Sequence, residues 1–266
     1  MRISIIVSLS ALFLICNVAQ AQWSTVQPRL NLGLYLGSPI DDYAKTTNST
    51  GAGLNVGLAI PFGKQVPFYG GFEFGYMLFG SNTQNETLTA SITANGTEIS
   101  QMQIPLRVKT TNNVYFWHLS LRAQLPTPII QPYVQGLVGF RYMTTNTKIF
   151  DDSDDQVWSD ADNGLIVQQK QLSDYVGSYG AGVGLMIPLG KSIMIDARAD
   201  YMYGGKARYY DGEDVDSWEV EFIGDPSMID EIDGDVVSFS AEPRESYTNM
   251  YTFTLGVSFL LGGGRE

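Results

Sequence analysis

Apolar and polar residues alternate one by one along eight separate stretches of the chain. In 29–37, Leu30, Leu32, Leu34 and Leu36 are interleaved with Arg29, Asn31, Gly33, Tyr35 and Gly37. In 53–62 the apolar set is Leu54, Val56, Leu58, Ile60 and Phe62, and in 68–79 it is Phe68, Phe72, Phe74, Tyr76 and Leu78. The same period runs through 114–125 (Tyr115, Trp117, Leu119, Leu121), 133–142 (Val134, Val138, Phe140, Tyr142) and 179–187 (Tyr179, Ala181, Val183, Leu185). It closes with 193–203 (Ile193, Ile195, Ala197, Ala199, Tyr201) and 251–261 (Tyr251, Phe253, Leu255, Val257, Phe259). A period of two means a strand whose two faces meet different media. In a soluble sandwich the apolar face makes the core; in a transmembrane barrel it meets lipid.

Three features select lipid. Connections alternate between short ones, from Gly63, Pro126 and Pro188, and long ones at about 38–50, 80–112, 144–174 and 204–246, the rhythm of brief periplasmic turns and long external loops. Tyr76, Tyr115, Tyr142, Tyr175, Tyr203 and Tyr247 stand where strands enter the long connections, as an interfacial girdle requires. The polar face also carries full charges and many glycines, which suits a narrow lumen. The expected fold is all-β: a transmembrane antiparallel up-and-down barrel of eight strands. Residues 86–109 read as a hairpin turning at Asn95-Gly96; they extend the barrel above the membrane or, in the alternative, make it ten-stranded.

An internal repeat supports the count. Val56-Gly57-Leu58-Ala59-Ile60-Pro61-Phe62-Gly63-Lys64 returns 127 positions later as Val183-Gly184-Leu185-Met186-Ile187-Pro188-Leu189-Gly190-Lys191, identical at seven of nine positions. The same offset superposes Glu73 on Asp200, both on the polar face.

Residues 1–21 read as a cleaved secretory signal: Arg2, an apolar run from Ile3 to Ile15, and Ala19-Gln20-Ala21 before Gln22. The single Cys16 lies inside it, so the processed chain 22–266 is expected to be one barrel domain without thiol chemistry. The net charge of -12 and the one histidine exclude a nucleic-acid footprint and leave little for zinc or haem, so no cofactor is expected. The acid excess is local: seven acids and one base in 151–174, thirteen acids and three bases in 205–246. None of these runs completes a calcium loop. Solvated acidic loops are expected, with weak divalent-cation bridging at the lipopolysaccharide surface as the competing reading.

Several runs resemble the outer-membrane β-barrel proteins of Bacteroidota. They are Val114-Tyr115-Phe116-Trp117-His118-Leu119-Ser120-Leu121-Arg122, Gln131 to Phe140, Tyr179 to Gly184 and Tyr201 to Ala207. Thr254 to Leu261 is similar to the last-strand signal read by the barrel-assembly machinery, although Gly262 to Glu266 follow it. The resemblance implies the barrel class, of OmpA type without a periplasmic domain, with outer-membrane lipids and lipopolysaccharide as surroundings.

Two constellations remain. His118 and Ser120 share a face as a His-x-Ser pair, the arrangement lipid A deacylases use. However, the intervening Leu119 takes the lipid side, and residues 99–150 contain no carboxylate to orient the histidine, so a hydrogen-bonded lumen histidine is the preferred reading. Arg29, Glu73, Arg122, Arg141, Asp196, Arg198 and Asp200 all fall on the polar face. Eight strands leave an interior that side chains fill, where charges persist only if paired, so these seven are expected to form a structural cluster. The function expected is non-enzymatic: a structural or surface-binding role through the acidic loops. A small passive pore and a lipid A-modifying hydrolase using His118 and Ser120 are the alternatives.

Overall fold

The computed structural model describes residues 27–47, 49–63, 66–94, 97–153, 164–190, 192–210, 220–222, 237–239 and 243–261. The signal at 1–21, the acidic runs within 154–163 and 211–216, the Asn95-Gly96 turn, Lys64 and Lys191 of the repeat, and Gly262 to Glu266 lie outside the described residues. Among the described residues no helix is long and apolar enough to cross a membrane.

Each alternating stretch forms a strand. In chain order the elements are β1 (Arg29–Pro39), α1 (Asp41–Thr46), β2 (Gly51–Pro61), β3 (Phe68–Ala94), β4 (Thr97–Gln124), β5 (Gln131–Asp151), β6 (Leu165–Pro188) and β7 (Ile193–Gly204). Short strands β8 (Lys206–Tyr209), β9 (Val220–Phe222), β10 (Val237–Phe239) and β11 (Arg244–Tyr247) follow, before β12 (Met250–Leu260). Eight of them close into a barrel in the order β1-β12-β7-β6-β5-β4-β3-β2, every pair antiparallel. The ten-stranded alternative is not adopted. The seam between first and last strand runs from Arg29↔Leu260 to Pro39↔Met250, and the Leu261 amide donates to the Pro28 carbonyl at 2.7 Å. Closure leaves no barrel edge unpaired.

The barrel is inverted relative to a soluble one. Leu34, Leu54, Leu119, Val138, Phe140, Val183 and Leu255 are exposed on its outside, Leu54 at 62%. Its inside holds Arg29, Glu73, Arg122, Arg141 and Asp200, each at most 4% exposed. Where the strands leave this apolar zone, Tyr76, Tyr115, Tyr142 and Tyr175 occupy one cross-strand row. Their ring centroids are 5.1, 6.2 and 4.4 Å apart in turn. Tyr203 continues the girdle by stacking on Tyr179, and Tyr201 bridges Tyr203 and Tyr251.

The hairpin expected over 86–109 is present as the upper parts of β3 and β4, and the connection at 144–174, expected as a loop, is also largely strand. β3 and β4 run on for 27 and 28 residues, and β5 and β6 extend beside them to Asp151 and Leu165. The four form a sheet that rises past the girdle. Two bulges explain why alternation hid the continuity. In β3, Phe79 and Gly80 face one β4 residue between the pairs Leu78↔Asn113 and Ser81↔Thr111. Gly80 takes φ 126, a conformation that side-chain-bearing residues rarely adopt. In β6, Gln171 is the extra residue between Thr145↔Leu172 and Asn146↔Lys170. Each bulge shifts the phase of inward and outward positions by one.

The 38–50 connection is also more than a loop. Asp41 at φ 55 turns the chain into α1, and Asn249 pins the turn, accepting from the Ile40 amide at 3.0 Å and donating to Asp41 Oδ2 at 3.1 Å. The fully buried Tyr43 of α1 stacks on Phe79 at 5.2 Å and meets Tyr209 edge-on.

Candidate functional site

The barrel interior gathers the seven predicted charges, and the alternation of the staves positions them: every odd or even position of a strand must point inward once its neighbours face outward. Arg198 on β7 lies at the centre. Its two terminal nitrogens donate to the two carboxylate oxygens of Glu73 on β3 at 2.6 and 2.8 Å, a bidentate pair. Its Nε is 2.8 Å from Asp200 Oδ2, and Nη2 also donates to Thr254 Oγ1 at 3.3 Å. In the strand order β3 and β7 stand four places apart either way round. The Glu73–Arg198 pair therefore spans the full width of the lumen. Glu73 and Asp200, equivalent positions of the sequence repeat, converge on one guanidinium.

Toward the short-turn end Arg122 is 3.8 Å from Asp196 Oδ2, donates to Gln135 Oε1 at 3.0 Å and lies 3.9 Å over the Tyr133 ring. Tyr133 in turn donates to Asp196 at 2.5 Å, and Gln135 donates to Asp200 at 3.0 Å, so the two acidic centres are joined. Arg29, at the barrel's end, has no carboxylate at ion-pair distance among the described residues. It donates to Gln124 at 2.7 Å and to the Tyr69 hydroxyl at 2.8 Å, with its guanidinium 4.6 Å above the Tyr69 ring. Arg141, nearer the outer mouth, likewise has no acid partner there: Nη1 donates to the Thr248 carbonyl at 2.6 Å, and Nη2 has no hydrogen-bond partner among the described residues. Above it Tyr35, Phe116, Met77, Met202, Met250 and Tyr43 form an apolar plug. The seven charges thus do not make one network. Five are linked, and Arg29 and Arg141 stand at either end.

His118 and Ser120 both face inward but do not pair. His118 Nε2 is 2.6 Å from Ser178 Oγ on β6, and its ring stacks on Phe116 at 5.4 Å. Glu73, opposite His118 in the β3–β4 register, spends both oxygens on Arg198. The Ser178 partner had no signature in the sequence, since it lies 60 residues away and just ahead of the alternating stretch 179–187. Among the described residues no three His, Cys, Asp or Glu side chains converge as metal ligands would.

Glycines make room for this filling. A Cβ added at Gly75 would collide with the Phe116 ring, at Gly184 with the Tyr133 ring, and at Gly182 with the Asp200 carboxylate. Gly75→Val is therefore expected to cost about 1–3 kcal/mol by overpacking. Gly136→Val, where an added Cβ meets nothing within 4 Å, should cost less. Urea unfolding of both variants into lipid vesicles measures the difference, and equal stability would show that the lumen is not packed.

No protein-family model matches the sequence, and no curated protein matches it. Several solved structures align with it along most of its length. The attachment invasion locus protein Ail of Yersinia pestis shares 11% identity over 88% of this chain and 97% of that one, with a TM-score of 0.37. Neisserial surface protein A shares 8% over 88% and 96%, with a TM-score of 0.40. The N-terminal β-barrel domain of Pseudomonas aeruginosa OprF shares 11% over 88% and 98%, with a TM-score of 0.34. The assignment of this chain as a closed eight-stranded antiparallel β-barrel rests on its own strand pairing.

Proposed function

We propose that this protein is an integral outer-membrane barrel of the Bacteroidota type, exported by residues 1–21, without catalytic activity and closed to ions. Its role is carried by what it presents outside the membrane: the sheet formed by the upper halves of β3 to β6, α1, and the acidic connections. One observation carries the reading: an apolar belt faces outward around an interior filled by charged side chains. Such a barrel loses its exposed Leu and Val to water in a soluble setting and satisfies them only in lipid. The Glu73–Arg198 pair crosses the bore and the Tyr43–Phe79–Tyr209 cluster lies over its outer end, and both support closure over a pore. His118 engages Ser178 and leaves Ser120 without the base that a hydrolase needs.

Planar-bilayer recording of the refolded chain tests closure. Silence across the applied voltage range is expected. Steady unitary steps would replace this reading with that of a passive pore.

A further inference from the structure

The outward face of the rising sheet concentrates positive charge in a chain whose net charge is -12. Lys109 on β4 and Lys148 on β5 are direct cross-strand partners. Arg107 lies two residues along β4 on the same face, opposite Phe150, whose ring it overlies at 5.2 Å. Lys170 on β6 is aligned with Asn146, one row nearer the girdle, and its ammonium donates to the Tyr142 hydroxyl at 3.4 Å.

Like charges placed opposite each other weaken a strand ladder, and nothing in the described structure relieves this one. Arg107 reaches Asp152 at 3.4 Å, but Lys109, Lys148 and Lys170 have no carboxylate at ion-pair distance among the described residues. Exposed cations elsewhere do find one: Lys45 pairs with Asp42, Lys206 with Glu245 and Arg208 with Asp174.

Position decides the partner. Six residues separate Tyr142 from Lys148, about 20 Å along a strand and about 15 Å in height once barrel tilt is allowed for. The tyrosine row marks the edge of the hydrocarbon. Lys170 therefore sits in the headgroup layer, and Lys109 and Lys148 sit above it, with stems long enough to reach down.

We propose that Arg107, Lys109, Lys148 and Lys170 form a binding site for the phosphate groups of an outer-leaflet glycolipid headgroup. The inference rests on the membrane reading above. Arg107 offers a planar fork to phosphate oxygens and the lysines act as point charges. A bound phosphate relieves the repulsion between Lys109 and Lys148. It also fastens the rising sheet to the membrane surface.

The test uses the full chain in nanodiscs of phosphatidylcholine doped with diphosphoryl lipid A. The quantity measured is lipid A retained after detergent extraction and gel filtration. Wild type and Lys206→Gln should retain it alike, and the Lys109→Gln/Lys148→Gln double variant should retain about tenfold less or lower still. Dephosphorylated lipid A should be retained weakly by all three. Equal retention by wild type and the double variant overturns the proposal. Binding of inorganic pyrophosphate to lipid A-free nanodiscs as tightly as that of lipid A overturns the choice of a lipid as the source of the phosphate. Insertion is read separately from the heat-dependent gel shift. Failure of the wild type to insert refutes the membrane reading itself, whereas insertion with equal retention refutes only this site.

Discussion

Arg198→Ala is expected to destabilise the barrel by about 3–5 kcal/mol, the range found when one member of a buried ion pair is removed. The loss is large because two acids depend on this one side chain. Glu73 loses both of its donors, and Asp200 loses a contact at 2.8 Å, while both carboxylates stay at 4% exposure or less. An uncompensated charge in a dry interior costs far more than the pair contributes when intact. The triple variant Arg198→Met, Glu73→Gln, Asp200→Asn should therefore recover much of the loss, since it removes the charge together with its need for a partner. Arg122→Ala should fall between them, because its closest carboxylate is 3.8 Å away and Tyr133 and Gln135 already share in satisfying Asp196 and Asp200. Substitution of the solvent-exposed Lys45 should leave stability unchanged. The measurement is the unfolding midpoint in detergent, read from the heat-dependent gel shift. If Arg198→Ala melted with the Lys45 variant, the lumen would be wet and not packed.

Val138→Arg is expected to cost about 2–4 kcal/mol in lipid, the penalty of an arginine near the bilayer midplane of a barrel. Val138 is 58% exposed, midway along β5 between the short turn and the Tyr142 row. On a water-soluble protein such an exposed valine would accept arginine within about half a kcal/mol. The same substitution therefore separates the two media that alternation alone leaves possible. Folding equilibria in lipid vesicles against urea give the value, and a neutral result would remove the apolar belt from the membrane.

The difference between stave and loop shows how far periodicity reaches. Within the apolar belt each strand keeps one phase, so the inward set Arg29, Glu73, Arg122 and Asp200 is legible from position parity. Past the girdle the phase changes at Gly80 and at Gln171, and a strand that changes phase looks like two unrelated segments. The hairpin of 86–109 was therefore legible only as a piece separate from the staves below it, and 144–174 passed for a loop. Tyr43 was equally hidden, since a six-residue helix has no periodic signal to offer.

While the choice of eight strands over ten came from the closed strand pairing, sequence alone determined the alternating staves, which of their residues face inward and the tyrosines at their outer ends. All of these follow from a period-two pattern and from turn chemistry, and both are local. Which inward charge meets which was decided only by tertiary structure. Parity places Glu73, Asp196, Arg198 and Asp200 on one face without saying that Glu73 reaches Arg198 across the whole bore. It does not say either that Arg141 meets a backbone carbonyl, or that His118 meets Ser178 and not Ser120. Those pairings depend on barrel closure and strand stagger, which bring residues 125 positions apart to within hydrogen-bonding distance. The facing lysines of β4 and β5 belong to the same class: two unremarkable charges in the sequence become neighbours only through the register.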